Sequence, residues 1–210
     1  MARIQAFEAH TKHYDAWFDR HPLVYQSELQ AISQQLLENG VGIEIGVGTG
    51  RFAAPLQIRY GVEPSEKMCA LAARHPIQLI RGVAESLPVA PAQFDFVLMV
   101  TTLCFVEDVI QSFREIHRIL RQKGLLILGF VDKESSVGRS YQQNRAESRF
   151  YRDASFYTFS EVLSFLSKTG FIEDKIHQTL FQPLDQIKKI QPVRTGYGEG
   201  SFVVINANKK

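Results

Sequence analysis

This sequence is short of several things, and each shortage closes off a class of protein. It has two cysteines in 210 residues, Cys69 and Cys104, far apart and in no CxxC pair. That excludes a disulfide-stapled scaffold and a zinc ribbon, and it fits a reducing compartment. No apolar run approaches the roughly 20 residues that cross a bilayer. The longest, around Leu125-Leu126-Ile127-Leu128, has the length of a buried strand. The N-terminal stretch carries His10, Lys12, His13, Asp15 and Asp19 and no apolar signal core. Charge is nearly balanced, 24 Lys and Arg against 22 Asp and Glu, so neither nucleic acid nor a membrane surface is expected as a partner. His10, His13 and His21 have no further spaced ligands around them, and no metal site is expected. Repeats and low-complexity tracts are missing too. The chain is 45% hydrophobic and 22% charged, enough apolar matter for one ordinary core. A single cytoplasmic domain over residues 1–210 is expected, as a monomer or homodimer.

What is present is an alternation of short apolar runs with helical patterns. Ile4, Phe7, Tyr14, Trp17 and Phe18 recur at helical spacing, and a second helix follows His21-Pro22 to about Glu38, stopped by Asn39-Gly40. These make an N-terminal helical cover over residues 1–40. From 41 to 131, strands at Val41–Ile45, Ile58–Glu63, Ile77–Arg81, Phe94–Val100 and Leu125–Val131 alternate with helices at Arg51–Gln57, Glu66–His75 and Glu107–Gln122, the last closed by Lys123-Gly124. Strands joined by helical crossovers indicate a doubly wound, mostly parallel α/β sheet covered on both faces. Residues 132–157 are polar and dotted with aromatics, and are expected to form a lid insertion. Thr158-Phe159-Ser160-Glu161 is a capping box that opens a helix ending at Gly170. Phe171–Phe181 and Ser201–Ala207 give two late strands, so residues 158–210 form a helix plus a terminal strand hairpin. The long Pro183–Gly200 connection between them includes Tyr197 and is a candidate flap.

The chemistry begins at Glu44-Ile45-Gly46-Val47-Gly48-Thr49-Gly50. A strand running into three alternate glycines brings bare backbone close to a ligand. In the dinucleotide fingerprint G-x-G-x-x-G the amides hold a pyrophosphate, but here the third glycine falls one residue early, and Arg51 follows it. Glu44 would repel a pyrophosphate and favour a cation. The turn therefore favours a nucleoside with a positively charged amino-acid tail over a dinucleotide. Glu63, at the end of the second strand in Gly61-Val62-Glu63-Pro64-Ser65, suits ribose hydroxyls in either ligand class. Gly82-Val83-Ala84-Glu85-Ser86-Leu87-Pro88 can place a carboxylate and amides at a base edge, and the fourth strand opens through Thr101 to Val106 over the same sheet edge.

Taken in order, Glu44-x-Gly46-x-Gly48-x-Gly50, Gly61-Val62-Glu63-Pro64-Ser65, Ala84-Glu85-x-Leu87-Pro88, Phe94-Asp95-Phe96-Val97 and Lys123-Gly124-Leu125-Leu126 resemble the class I S-adenosylmethionine-dependent methyltransferases, of the small type 11 or UbiE-like kind. The resemblance is strong over about residues 40–131. It implies a seven-stranded Rossmann-like sheet whose last strand is antiparallel, with S-adenosyl-L-methionine as cofactor and S-adenosyl-L-homocysteine as product. By position, it implies that Gly46, Gly48 and Gly50 pass under the methionine part and that Glu44 lies near its ammonium, directly or through water. Glu63 would take the ribose hydroxyls, Pro64 and Met68 would border the adenine, and Ala84 and Glu85 would meet its amino edge. Val100 would offer backbone groups to the methionine tail, and Tyr14 resembles an aromatic that covers the cofactor.

The expected reaction is in-line methyl transfer to a small or medium organic acceptor. No residue stands out as a catalytic acid or base. The acceptor pocket is expected from Tyr14, Trp17, Tyr25, Cys104, Phe105, Tyr141, Tyr157 and Tyr197. Two other functions compete: a non-catalytic cofactor-binding module that acts through a protein partner, and a nicotinamide-dependent oxidoreductase.

Overall fold

The computed structural model describes residues 4–37 and 39–210. Two helices lead the chain, α1 (Gln5–Arg20) and α2 (Pro22–Ser33). Pro22 sits in the first turn of α2, where its missing N–H is harmless. The helix stops at Ser33. Glu38, where the sequence suggests its end, lies outside the described residues. The alternating part follows as β1 (Gly42–Ile45), β2 (Tyr60–Val62), α3 (Glu66–Ala72), β3 (Gln78–Ile80), β4 (Phe94–Val100), α4 (Val109–Ile119) and β5 (Leu120–Val131). The insertion carries α5 (Ser136–Gln143). The chain ends in α6 (Phe159–Lys168), β6 (Phe171–Thr179), β7 (Arg194–Thr195) and β8 (Phe202–Lys209).

Among the described residues, eight strands form one sheet in the order β3-β2-β1-β4-β5-β8-β6-β7. β1 to β5 pair in parallel, and β8 runs antiparallel between β5 and β6. This is the doubly wound, mostly parallel sheet that the strand pattern predicts, with an antiparallel strand next to β5. The eighth strand, beyond the expected seven, is the two-residue β7, formed where the long connection folds back onto His177 and Gln178.

Alternation along β4 splits the core in two. Val97 and Met99 face one layer with Phe113 and Ile116 of α4 and Val162 and Leu166 of α6. Leu98 and Val100 face the other, with Ala31 and Ile32 of α2 and Phe18 of α1. The N-terminal helices are therefore part of the core on one sheet face, which fixes α2 and, through it, α1 beside the strand ends.

Local chemistry explains most of the boundaries. Ser65 caps α3 by accepting the Met68 N–H at 3.2 Å, and Asp108 caps α4 through Gln111 N–H at 2.9 Å. Thr158 and Glu161 form the expected reciprocal capping box, at 3.1 and 2.7 Å. Two expectations fail. Residues 51–57 form consecutive turns and no helix, because Pro55 has no N–H to extend one and Gln57, at φ +57°, turns the chain toward β2. The segment after α4 also differs. The strand begins at Leu120, four residues bulge between the Leu120 and Leu125 pairings, and Lys123 rather than Gly124 takes the positive φ, +61°. Arg121 holds that bulge by an ion pair to Asp95 at 2.7 Å.

The insertion is tied to the sheet by Asp132, which is 7% exposed. Its Oδ1 accepts the Glu134 N–H at 2.7 Å, and its Oδ2 accepts the buried Phe159 N–H at 3.1 Å. One side chain thus fixes both the start of the insertion and the start of α6. Replacing Asp132 with Ala leaves the Phe159 amide unpaired and should cost about 1–3 kcal/mol, read as a lower urea midpoint with an unchanged slope. An unchanged midpoint would show that the insertion is not anchored through this carboxylate.

Candidate active site

Four strand ends build the floor of a cleft. β1 and β4 are neighbours whose crossovers leave in opposite directions, and an open α/β sheet leaves a crevice at such a switch point. At the end of β1 the three glycines all have positive φ, +73° at Gly46, +56° at Gly48 and +86° at Gly50. Their surroundings differ. A Cβ on Gly46 would lie 2.4 Å from the Thr102 side chain, and one on Gly50 would lie 2.9 Å from Ile77. A Cβ on Gly48 would meet nothing nearer than Tyr14 at 3.8 Å. Gly46 and Gly48 line the cleft, while Gly50 packs behind it and serves the turn itself.

Glu63 closes the turn from the end of β2. Its Oε2 accepts the Gly48 N–H at 2.9 Å and its Oε1 accepts the Ser65 N–H at 2.8 Å. A carboxylate offers about four lone-pair sites, so acceptor capacity remains. Burial pushes its pKa up in spite of these bonds. Glu44 is buried just behind the cleft wall. It accepts an N–H from Ala53, and its Oε2 has no partner among the described residues. Burial raises this carboxyl well above the usual range, and the charge of Glu63 adds to the effect.

Pro64, Met68, Gly82, Val83, Ala84 and Glu85 continue the wall. Glu85 Oε1 accepts the Glu107 N–H at 2.7 Å, which ties the wall to the loop before α4. At the end of β4, Val100 is buried within the sheet, and Thr101 and Thr102 line the cleft in its place. The Thr102 hydroxyl is shared between the carbonyls of Gly46 at 3.3 Å and Val100 at 3.0 Å, so it couples the two strand ends.

The roof comes from α1. The helix is kinked at His10, whose φ and ψ are −130° and 28°. Ile4, Phe7 and Tyr14 reach the cleft. Arg51, the residue after the last glycine, clamps the helix down. Its guanidinium bonds both oxygens of Asp15 at 2.8 Å and both oxygens of Asp19 at 2.9 and 3.0 Å. The Thr49 hydroxyl donates to Asp15 Oδ1, the oxygen that Arg51 Nε also bonds, at 2.7 Å.

A chamber of about 640 Å³ adjoins the cleft. Phe7, Tyr14, Thr101 and Phe105 line both spaces. The far wall carries Trp17 and Glu28 from the cover and Tyr141, Phe150 and Tyr151 from the insertion. Phe7 stacked on Phe150 at 5.4 Å joins the cover to the insertion, and Phe105 stacked on Tyr151 at 5.8 Å joins the loop after β4 to it.

Residues 43–128 match the methyltransferase domain family. An S-adenosylmethionine-dependent methyltransferase of Thermotoga maritima, described as a possible histamine N-methyltransferase, has a similar solved structure. It is 48% identical, with a TM-score of 0.94 over 98% of this chain and 98% of that one. An uncharacterized protein of Methanocaldococcus jannaschii is 39% identical over 206 residues, 98% of this chain and all of the relative. A TehB-like methyltransferase of Corynebacterium glutamicum shares the fold at 18% identity, with a TM-score of 0.65 over 96% of this chain and 99% of that one.

This chain belongs to the class I S-adenosylmethionine-dependent methyltransferases, type 11 family.

The methyltransferase uses S-adenosylmethionine, and its cleft has the chemistry for that donor. Bare backbone at Gly48, spare lone pairs on Glu63 and an orphaned, buried Glu44 oxygen suit a sugar and a cationic tail in turn. Among the expected acceptor residues, Tyr14, Trp17, Phe105 and Tyr141 meet in the chamber. Four lie elsewhere. The Tyr25 hydroxyl donates to the Arg51 carbonyl, and its ring packs on Phe18 and Phe52. Cys104 and Tyr157 border a smaller cavity with Phe130 and Phe156. Tyr197, 53% exposed, stacks on Phe159 with ring centroids 3.7 Å apart. It is held there because β7 and the Arg194–Glu199 ion pair keep its loop at the sheet edge. Glu28 escaped the sequence reading. Its signal was a carboxylate on the apolar stripe of α2, four residues from both Val24 and Ile32.

Hydrogen bonding from Arg51, and secondarily from Thr49, holds the Asp15 carboxyl below the usual range against the opposing effect of burial. The clamp's contribution is therefore complete above the unfolded pKa of about 3.9, and it is lost as the pH falls through the folded value. Arg51→Ala should cost about 1–2 kcal/mol at pH 7, since the pair is partly exposed. The difference from wild type in urea unfolding should shrink at pH 3. An equal loss at both pH values would mean that the ion pair is not its source.

Proposed function

We propose that the methyltransferase methylates a small or medium organic molecule held in the aromatic chamber. The observation that carries this is the shared wall of Phe7, Tyr14, Thr101 and Phe105, which puts the chamber directly beside the donor cleft. A volume of about 640 Å³ lies within the range of small-molecule sites. The description of the Thermotoga relative as a possible histamine N-methyltransferase names an acceptor of this size class.

In this reading Gly46 and Gly48 give backbone approach to the donor's methionine part, with Gly50 shaping the turn. Glu63 accepts its ribose hydroxyls, Pro64 and Met68 border its adenine, and Ala84 and Glu85 meet the amino edge. Glu44 reaches the ammonium through water. Thr101 and Thr102 take the place expected of Val100. When bound, S-adenosylmethionine supplies a methyl group on a cationic sulfur whose departure leaves a neutral thioether. The protein's task is alignment and dryness rather than acid catalysis. Tyr14 and Phe105 stand at the junction of donor and acceptor spaces, and Phe150 and Tyr151 close the chamber from above. The separate environments of Cys69 and Cys104, each thiol donating to a local carbonyl, support action in the cytoplasm. The buried Glu44 and the early third glycine argue against a nicotinamide dinucleotide.

Calorimetry tests the donor assignment. S-adenosylmethionine and S-adenosylhomocysteine should both bind. Glu63→Ala removes hydrogen bonds to a charged acceptor, each worth about 1.5–3 kcal/mol, and should weaken both ligands about 100-fold or more while the protein stays folded. Equal binding by the variant would remove Glu63 from the site.

A further inference from the structure

Glu28 is the unexplained charge of the chamber. It is 5% exposed on α2, and it lines the aromatic cavity opposite the insertion. Among the described residues, no hydrogen-bond donor or cation partners its carboxylate. A buried carboxyl without a partner is costly, and proteins pair such groups or use them. Burial alone pushes this one up to about 8.

The groups around it are of one kind. Tyr14 on α1, Tyr25 on its own helix, Tyr141 on α5 and Tyr151 in the insertion are all buried enough to have raised hydroxyl pKa values, and the charge of Glu28 adds to each. The chamber's two histidines, His13 and His21, are both held toward the neutral form, first by burial and then by Arg20. Arg149 lines the chamber from an exposed position and pairs with no carboxylate among the described residues. Exposed Glu147 also lines the chamber, so among the described residues the site has one buried negative group, aromatic faces and no buried countercharge.

An ammonium supplies what is missing. It would pair with the carboxylate and restore its charged form, and its positive face would rest on the rings of Trp17, Tyr14 or Phe150. We propose that the acceptor is an amine with an apolar or aromatic body, and that the Glu28 carboxylate selects it by binding the amine nitrogen. This rests on the chamber being the acceptor site.

The test uses the complex with S-adenosylhomocysteine and asks for binding, so it does not depend on turnover. Benzylamine and 2-phenylethylamine are compared with benzyl alcohol and 2-phenylethanol, their neutral counterparts. Calorimetry gives affinities. Trp17, the sole tryptophan, lies in the chamber and reports occupancy by fluorescence. The amines should bind wild type at least about tenfold more tightly than the alcohols. Glu28→Gln should erase that preference while S-adenosylhomocysteine affinity stays within about twofold. Amines that fail to bind, alcohols that bind equally well, or a preference that survives in Glu28→Gln would each overturn the proposal. If the variant does not fold, the wild-type comparison of amines with alcohols decides alone. A protein that does not bind S-adenosylhomocysteine overturns the donor assignment and this proposal with it. One that binds it without preferring amines overturns this proposal only.

Discussion

The structure above the sheet depends on the clamp between Arg51 and the paired carboxylates Asp15 and Asp19. The glycine turn and the N-terminal helix are 32 to 36 residues apart in sequence, and this network is where they meet. It joins the floor of the cleft to its roof through one planar cation, whose fork geometry suits carboxylates. α1 carries Tyr14 and Trp17, so the clamp also positions one wall of the aromatic chamber. Arg51 stands where a dinucleotide fingerprint would place a small residue at the helix start. Here no helix follows, and the side chain is free to reach outward to the cover.

Three buried carboxylates lie along the cleft and the adjoining chamber, and burial raises the pKa of all three: Glu63, Glu44 and Glu28. They differ in how far the protein itself satisfies them. Glu63 holds two backbone amides, Glu44 holds one and keeps an orphaned oxygen, and Glu28 has none among the described residues. Partnership by the fold falls in that order, and the room left for a ligand's own partner group rises in the same order. A sugar needs only spare lone pairs on an already ordered carboxylate. A cation can supply the whole countercharge, and it favours ionisation where burial opposes it.

Much of the cleft's local geometry was legible because local rules govern it. Glycines at positive φ, a carboxylate ending a strand and the Thr158–Glu161 capping box are signals carried by neighbouring residues. The segment 51–57 was misread because its length and composition permit a helix, and only Pro55 with the reversal at Gln57 decides otherwise. Tyr197 looked like a flap residue because its loop is glycine-rich, yet the two-residue pairing of β7 with β6 pins that loop to the sheet edge. Such long-range pairing leaves no periodicity to detect. Phe150 was invisible for a similar reason. It sits in a polar insertion, and its partners Phe7 and Tyr14 come from the other end of the chain.

The cleft and the chamber divide along the family match. The family match ends at residues 43 and 128, and nearly all of the donor cleft lies between those limits. The chamber draws only Phe52, Thr101 and Phe105 from that span. The rest comes from the cover, the insertion, the end of β5 and Leu184 in the late connection. These segments are held by specific side chains, the Arg51 clamp for one and Asp132 for another, rather than by the ladder of the sheet. Their sequences can change without disturbing the strand order, provided those anchors remain. On the proposed reading, acceptor recognition falls to Glu28 and its aromatic neighbours, outside the matched span, while the glycine turn lies within it.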